Sequence, residues 1–279
     1  MSEILLSAFA DEYSADFTEQ LEELNRLDIN YIEMRGVDGK NISALTAEET
    51  AECKSKLAYY GVKVSSIGSP LGKIQIDGDI AAHIELAKRV FNTARELGSE
   101  YCRMFSFYIP EGKNADEYKG QVFEAVGGLL EEAKSFGITL CHENEAGIFG
   151  ESPENCLELL NAFNGELKCV FDMGNFVLDG FEAYPYAYNL LKKHIAYFHI
   201  KDALSAGAVV PPGCGEAKIY EILSDYKAYK ESFIISIEPH LQTFDGLNAL
   251  VGKSFDNPYK YENAKSAFED AVSKLRKML

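Results

Sequence analysis

Eight short apolar runs recur along this chain, each followed by a longer segment whose apolar residues stand three and four apart. The strand candidates are "ILLSAFA" from Ile4, "YIEM" from Tyr31, "VKVSSI" from Val62 and "YCRMFSF" from Tyr101. They continue with "ITLC" from Ile138, "LKCVF" from Leu167, "IAYFHI" from Ile195 and "FIISIE" from Phe233. Helical spacing is expected over Phe17–Leu27, Ala47–Tyr60, Ile80–Leu97 and Tyr118–Phe136. A fifth helix begins at Pro153, in the first-turn position that proline tolerates. A sixth lies near Glu182–Leu191, interrupted by Pro185, and Ile219–Tyr229 and Tyr261–Met278 complete the set.

Gly61, Gly98 and Gly137 stand just before the third, fourth and fifth strands, where a helix C-cap needs a residue that accepts the left-handed conformation. Near-continuously apolar strands with covering helices mean a parallel sheet buried on both faces. Eight such units in 279 residues fit a single closed (β/α)8 barrel, an α/β fold spanning 1–279. A doubly wound open sheet is the alternative, but no GxGxxG follows an early strand, and no linker or composition shift marks a second domain.

The formal net charge of -17 argues against a nucleic-acid partner, which would want a basic stripe, and points to small molecules. "MSEILLSAFADEYS" has no basic leader region, so it does not read as a signal peptide. No stretch reaches the roughly 18 apolar residues of a membrane span. The six cysteines include no CxxC pair, and Cys102, Cys141 and Cys169 fall inside strands, so buried reduced thiols are expected. The chain is therefore expected in the cytoplasm.

In a barrel of this kind chemistry gathers where strands end and βα loops begin. The second strand ends in Glu33 and Arg35, the third in Ser66, Gly68 and Ser69, and the fifth in Glu143-Asn144-Glu145. The sixth gives "FDMGN" with Asp172 and Asn175; the seventh gives "FHIKD" with His199, Lys201 and Asp202; the eighth gives "IEPH" with Glu238 and His240. Four consecutive strands thus bring Glu, Asp, His and Glu to one rim. Carboxylates converging there repel and raise one another's pKa values unless a cation neutralises them. Three oxygen donors and one imidazole suit Mn²⁺, with Mg²⁺, Co²⁺ or Zn²⁺ as alternatives. Each residue also has a plainer reading: Glu143 as a solvated loop acid, Asp172 as a helix N-cap, His199 as a core histidine. Their joint occurrence at successive strand ends favours the metal site.

The segments "HEN", "FDMGNF", "HIKD" followed by "PPGCGE", and "IEPH", set between "SAFADE" and "SIEPHL", resemble the xylose isomerase-like TIM barrel superfamily. The group in question is that of sugar phosphate isomerases and epimerases, which includes ketose 3-epimerases, hydroxypyruvate isomerase and inosose dehydratase. The resemblance implies that Glu143, Asp172, His199 and Glu238 bind one divalent metal and that Glu143 and Glu238 form the acid/base pair. It also makes a homo-oligomer plausible. Epimerases of this group often carry histidine three positions after the metal-binding aspartate, where this chain has Asn175, and several relatives have histidine where it has Glu145. Asparagine hydrogen-bonds a hydroxyl but carries no proton charge.

The expected reaction is proton transfer through an enediolate at the hydroxy-ketone of a keto-sugar or sugar phosphate, giving epimerisation or isomerisation. The runner-up is an inosose-type dehydratase, and a reading of another class is a non-catalytic sugar-binding barrel. An apurinic endonuclease would need more histidines than the five present and a basic face. Arg35, Glu145, Asn175, Lys201 and His240 are the expected substrate contacts. Arg35 is equally an ion-pair partner for Glu33 or a first-loop acid, Lys201 a solvated loop lysine, and His240 a supporting partner of the site. Asp202 is read as holding the seventh loop, Arg103 as an interior cation paired with a carboxylate, and Glu216 as either a site or a surface residue. Phe105, Phe107, Tyr108, Phe149 and Phe176 are read as an apolar pocket wall or as packing.

Overall fold

The computed structural model describes residues 3–241 and 258–279. The eight apolar runs become β1 (Glu3–Ala8), β2 (Tyr31–Met34), β3 (Lys63–Ile67), β4 (Tyr101–Met104), β5 (Thr139–Glu143), β6 (Lys168–Asp172), β7 (Ile195–Ile200) and β8 (Ser232–Ile237). They pair in parallel in the order β1-β8-β7-β6-β5-β4-β3-β2. At the seam β1 lies against β2. There Ser7 Oγ meets Ser65 Oγ at 2.6 Å, and Ser65 Oγ donates to the Ile32 carbonyl at 3.0 Å. The result is a nearly closed (β/α)8 barrel.

The covering helices are α1 (Phe17–Arg26), α2 (Ala47–Tyr60), α3 (Ile80–Leu97), α4 (Lys119–Phe136) and α5 (Pro153–Ala162). After β6 come α6 (Met173–Leu178) and α7 (Tyr188–Leu191), then α8 (Ile219–Tyr229) and α9 (Ala264–Arg276). Gly61, Gly98 and Gly137 cap α2, α3 and α4 at φ of 69°, 76° and 73°, as the turn chemistry requires. None of the described helices is long and apolar enough to cross a membrane.

Several boundaries differ from expectation for local reasons. The expected helix over Glu182–Leu191 is a π turn, Ala183–Ala187, followed by the short α7, because Tyr184 is extended (φ -141°, ψ 132°) beside Pro185. The last helix begins at Ala264 and not at Tyr261, since the Asn263 side chain caps it by accepting from Ser266 N. The fourth strand stops at Met104, short of Phe107, whose φ is +63°. α6 is an additional short helix ahead of the expected sixth one and starts on a cap supplied by Asp172.

Most of the buried apolar side chains lie between the barrel wall and the helices. A second, smaller group fills the lumen: Cys141, Val170 and Tyr197, with Tyr101 and Ile234 packed against them. All six cysteines carry free thiols; Cys102, Cys141 and Cys169 are buried, as expected for reduced strand residues.

Candidate metal centre

Side chains two apart on a strand point the same way. The apolar lumen layer is therefore succeeded, two residues on, by a polar one: Cys141 leads to Glu143, Val170 to Asp172 and Tyr197 to His199. Ile234 leads through Ser236 to Glu238, just past the end of β8. Parallel pairing sets Asp172 beside His199, and His199 beside Ser236. One donor atom from each of Glu143, Asp172, His199 and Glu238 lies within 4.8 Å of the others, and all four residues are buried.

Several contacts hold this group. His199 Nδ1 is 2.9 Å from Glu143 Oε1, 3.3 Å from Glu238 Oε2 and 3.9 Å from Asp172 Oδ2. Arg103 Nη1 lies 3.1 Å from Glu143 Oε2, and Lys201 Nζ lies 2.9 Å from Asp172 Oδ2 and 3.2 Å from Glu238 Oε2. Asp172 Oδ1 meanwhile accepts from Asn175 N at 2.8 Å, so this carboxylate caps α6 and faces the other three at once. Asn144 braces it, exchanging two hydrogen bonds with the Asp172 backbone at 3.0 and 3.1 Å.

Electrostatics follow from burial and from these neighbours. Burial penalises the charge on Glu143, yet His199 and Arg103 hold its pKa below the usual carboxylate range. Burial works against Glu238 in the same way and is outweighed chiefly by Lys201 and His199, which depress it strongly. Asp172 ends near 6 because burial, reinforced by Glu143 and Glu238, outweighs Lys201. Burial also opposes charging His199, but the Glu143 and Glu33 carboxylates lift its pKa well above the ordinary value.

The donor set fits a divalent cation. Glu143 Oε2 and Glu238 Oε2 are buried and take part in no hydrogen bond among the described residues. Two acceptor atoms in that state, beside further carboxylate and imidazole donors, are what a hard or borderline ion requires.

The remaining expected residues divide. A cavity of about 220 Å³ opens above the four donors, and Arg35, Glu145, Asn175, Lys201 and His240 all line it. Arg35 does not pair with Glu33. Its Nε donates to Asp11 Oδ2 at 2.8 Å, its Nη1 to Glu238 Oε1 at 2.7 Å and its Nη2 to Glu12 Oε1 at 3.3 Å. Lys201 is no solvated loop lysine; it is buried, and Asn175 Oδ1 accepts from its Nζ at 3.1 Å. His240 sits at φ +46°, with Nε2 3.3 Å from Glu12 Oε1 and 3.4 Å from Glu238 Oε1. Burial and the nearby Lys201 push its pKa well down, so it is neutral. Glu145 is bridged at 2.8 Å by Lys73, which approaches from the loop after β3.

Arg103 is the interior cation expected, while Glu216 is exposed, its side chain accepting from Ser205 Oγ at 3.3 Å. The five aromatics do not line the cavity. Phe107, Phe149 and Phe176 belong to the core, and Phe105 instead carries Arg103 and Lys73 over its ring at 5.0 and 4.3 Å. Phe9, unremarked in the sequence, lies under the site, with Arg35 4.5 Å and Arg103 5.2 Å over its ring and His199 edge-on at 5.1 Å.

At the end of α6, burial lifts the Asp179 carboxyl to about 7, reinforced by Glu151, Glu145 and Asp172 and opposed by Lys201. Its Oδ2 has no hydrogen-bond partner among the described residues. A raised carboxyl pKa contributes stability that is full below the unfolded value of 3.8 and lost as pH rises through 7. Asp179→Asn is therefore expected to stabilise the protein increasingly between those pH values and by a constant amount above. We expect about 2 kcal/mol after allowing for partial solvent access. Thermal melts at pH 5, 6, 7 and 8.5 check this; a pH-independent difference contradicts it.

A family model described as a xylose isomerase-like TIM barrel matches residues 21–257. No curated protein matches the chain. Among solved structures, the IOLI protein with a bound zinc atom is 20% identical at a TM-score of 0.73, over 100% of this chain and 98% of that one. The probable 3-DHS dehydratase AsbF from Bacillus anthracis is 16% identical at 0.74, over 99% of each chain. A D-allulose 3-epimerase from Methylomonas sp. is likewise 16% identical at 0.74, over 100% and 99%. At these identities the likeness speaks for the fold.

Proposed function

Because the chain belongs to the xylose isomerase-like TIM barrel family, we propose that it is a divalent-metal-dependent sugar isomerase or epimerase, moving a proton beside the carbonyl of a hydroxy-ketone. One observation carries this reading: Glu143 and Glu238 reach the same four-donor group from β5 and from the end of β8, each with one buried oxygen that takes part in no hydrogen bond among the described residues and faces a cation instead, Arg103 or Lys201. Glu143, Asp172, His199 and Glu238 hold the ion in this proposal, Mn²⁺ by preference, with Mg²⁺, Co²⁺ or Zn²⁺ as alternatives. When bound, the ion supplies positive charge that offsets negative charge developing on the substrate's oxygens.

The protein's own groups do the proton work. With pKa values held low, Glu143 and Glu238 begin as carboxylates, fit to accept a proton. One takes the proton from the carbon beside the carbonyl. Return by the other to the opposite face inverts that centre, and return to the neighbouring carbon interconverts ketose and aldose. Lys201 and Asn175 fix Asp172, while neutral His240 offers a ring nitrogen to a substrate hydroxyl.

The cavity favours an uncharged keto-sugar over its phosphate. Among the described residues, each cation lining it already faces a carboxylate: Arg35 meets Asp11, Glu12 and Glu238; Lys73 meets Glu145; Arg103 meets Glu143; Lys201 meets Asp172. A phosphate would have to break one of these pairs.

The test is a screen in deuterated water across keto-sugars, their phosphates and inososes, with each ion supplied to chelator-treated protein. Deuterium entering a product of unchanged skeleton, only when an ion is present, is the expected result. Loss of water from the substrate would make the protein a dehydratase, the activity named for the AsbF structure. Tight sugar binding without an ion or exchange would make it a binding barrel.

A further inference from the structure

Glu33 comes from β2, which β1 and β8 separate from the strand of His199, and is 1% exposed. Both its oxygens are engaged. Oε1 accepts from the Tyr197 hydroxyl at 2.9 Å, and Oε2 lies 3.1 Å from His199 Nε2. Tyr197 in turn meets Ser66 Oγ at 2.9 Å, so a buried chain runs from Ser66 through Tyr197 and Glu33 to His199.

The direction of this chain matters. A carboxylate only accepts hydrogen bonds, so the nitrogen facing Glu33 must carry hydrogen. That nitrogen is Nε2. The other, Nδ1, is turned to Glu143, Glu238 and Asp172, at 2.9, 3.3 and 3.9 Å, so it too carries hydrogen in the ion-free site, and it is the nitrogen whose hydrogen a divalent ion among those donors would replace. The ring has little freedom to swap them, because Phe9 stands edge-on at 5.1 Å and Tyr197 at 5.6 Å.

We propose that Glu33 is a positioning residue: it pins hydrogen on His199 Nε2 and so presents Nδ1 as the imidazole donor to a divalent ion. This rests on the metal reading above. A carboxylate behind a ligating imidazole fixes the ring's orientation and makes its free nitrogen a stronger donor, and losing such a partner typically weakens metal binding by about 10- to 100-fold. Glu33 does not line the cavity; its hydrogen bonds reach Tyr197 and His199, so its contact with the four donors is made through His199.

The experiment compares native protein, Glu33→Gln and Glu33→Leu. Mn²⁺ and Zn²⁺ dissociation constants are measured calorimetrically on chelator-treated samples, and His199 ring nitrogens are followed by ¹⁵N spectroscopy in the Zn²⁺ form. Glu33→Gln keeps the shape and one acceptor and guards against a leucine variant that fails to fold. The expected result is that Glu33→Gln folds with a native circular dichroism spectrum and binds each ion about 10- to 100-fold more weakly. Native spectra are expected to show a protonated Nε2 and a coordinated Nδ1, with the Nε2–H signal moving in the variant. A merely structural role would lower the melting temperature without moving that signal. Unchanged metal affinity and ring signals in Glu33→Gln would overturn the proposal and leave the metal reading standing. A native protein that binds neither ion would overturn both.

Discussion

Replacing Glu238 by glutamine gives a folded protein that exchanges no substrate proton with solvent at a measurable rate. The fold survives because no cation is stranded. Arg35 keeps Asp11 and Glu12, Lys201 keeps Asp172, and Arg103 keeps Glu143. Glutamine matches the shape of the buried side chain, so no cavity opens. What disappears is the negative charge that Lys201 and His199 hold in place, and with it the ability to take and return a proton. A positioned carboxylate contributes about 10²–10⁴-fold to such a step, and the exchange rate should fall at least that far. Deuterium incorporation by mass spectrometry, with circular dichroism as the folding control, reads both halves of the expectation. Exchange at the native rate would remove Glu238 from the acid/base pair.

The largest stability effect is expected from Asp202→Ala. This buried carboxylate gathers four backbone N–H groups: Ala203 and Ala217 donate to Oδ1 at 2.9 and 3.1 Å, and Gly213 and Gly215 to Oδ2 at 2.8 and 2.9 Å. Three of those donors belong to the "PPGCGE" loop and its exit, so one side chain shapes the turn, as the sequence suggested. The packing is close on the other side too, because a Cβ on Gly215 would stand 2.2 Å from Asp202 Oδ1. Truncation strands all four donors at once. Water can reach some of them, since Gly213 is exposed, and we expect a loss of about 3–4 kcal/mol. Urea unfolding measures it. A loss near that of an ordinary surface substitution, about 0.5 kcal/mol, would mean the loop is held by other contacts.

The barrel was legible because its signals are local. β2, β7, α2, α3 and α8 have the bounds that spacing and glycine caps indicate, and period and turn chemistry act within a few residues. The convergence of Glu143, Asp172, His199 and Glu238 was also legible, since a barrel brings its strand ends to one rim. Partner choice was not. That Arg35 reaches Glu238 besides the first-loop acids Asp11 and Glu12, that Glu33 meets His199, and that Lys73 meets Glu145 depend on residues 23 to 203 positions apart. No local pattern encodes such choices. An acid inside the apolar run "YIEM" was the available hint that Glu33 serves the interior. At the sixth helix Pro185 marked an interruption, but not its form, which is a π turn with Tyr184 extended.

Asp172 holds two posts with one side chain. Oδ1 opens a helix and Oδ2 faces the lumen, where Lys201 meets it at 2.9 Å. Asparagine could keep the first post through its carbonyl, but its amide would then offer hydrogen where the second needs a lone pair. Leucine could keep neither. Variation at this position is thus closed from two directions, by secondary structure and by chemistry, and the loop beginning here cannot drift without carrying one of the four converging donors away with it.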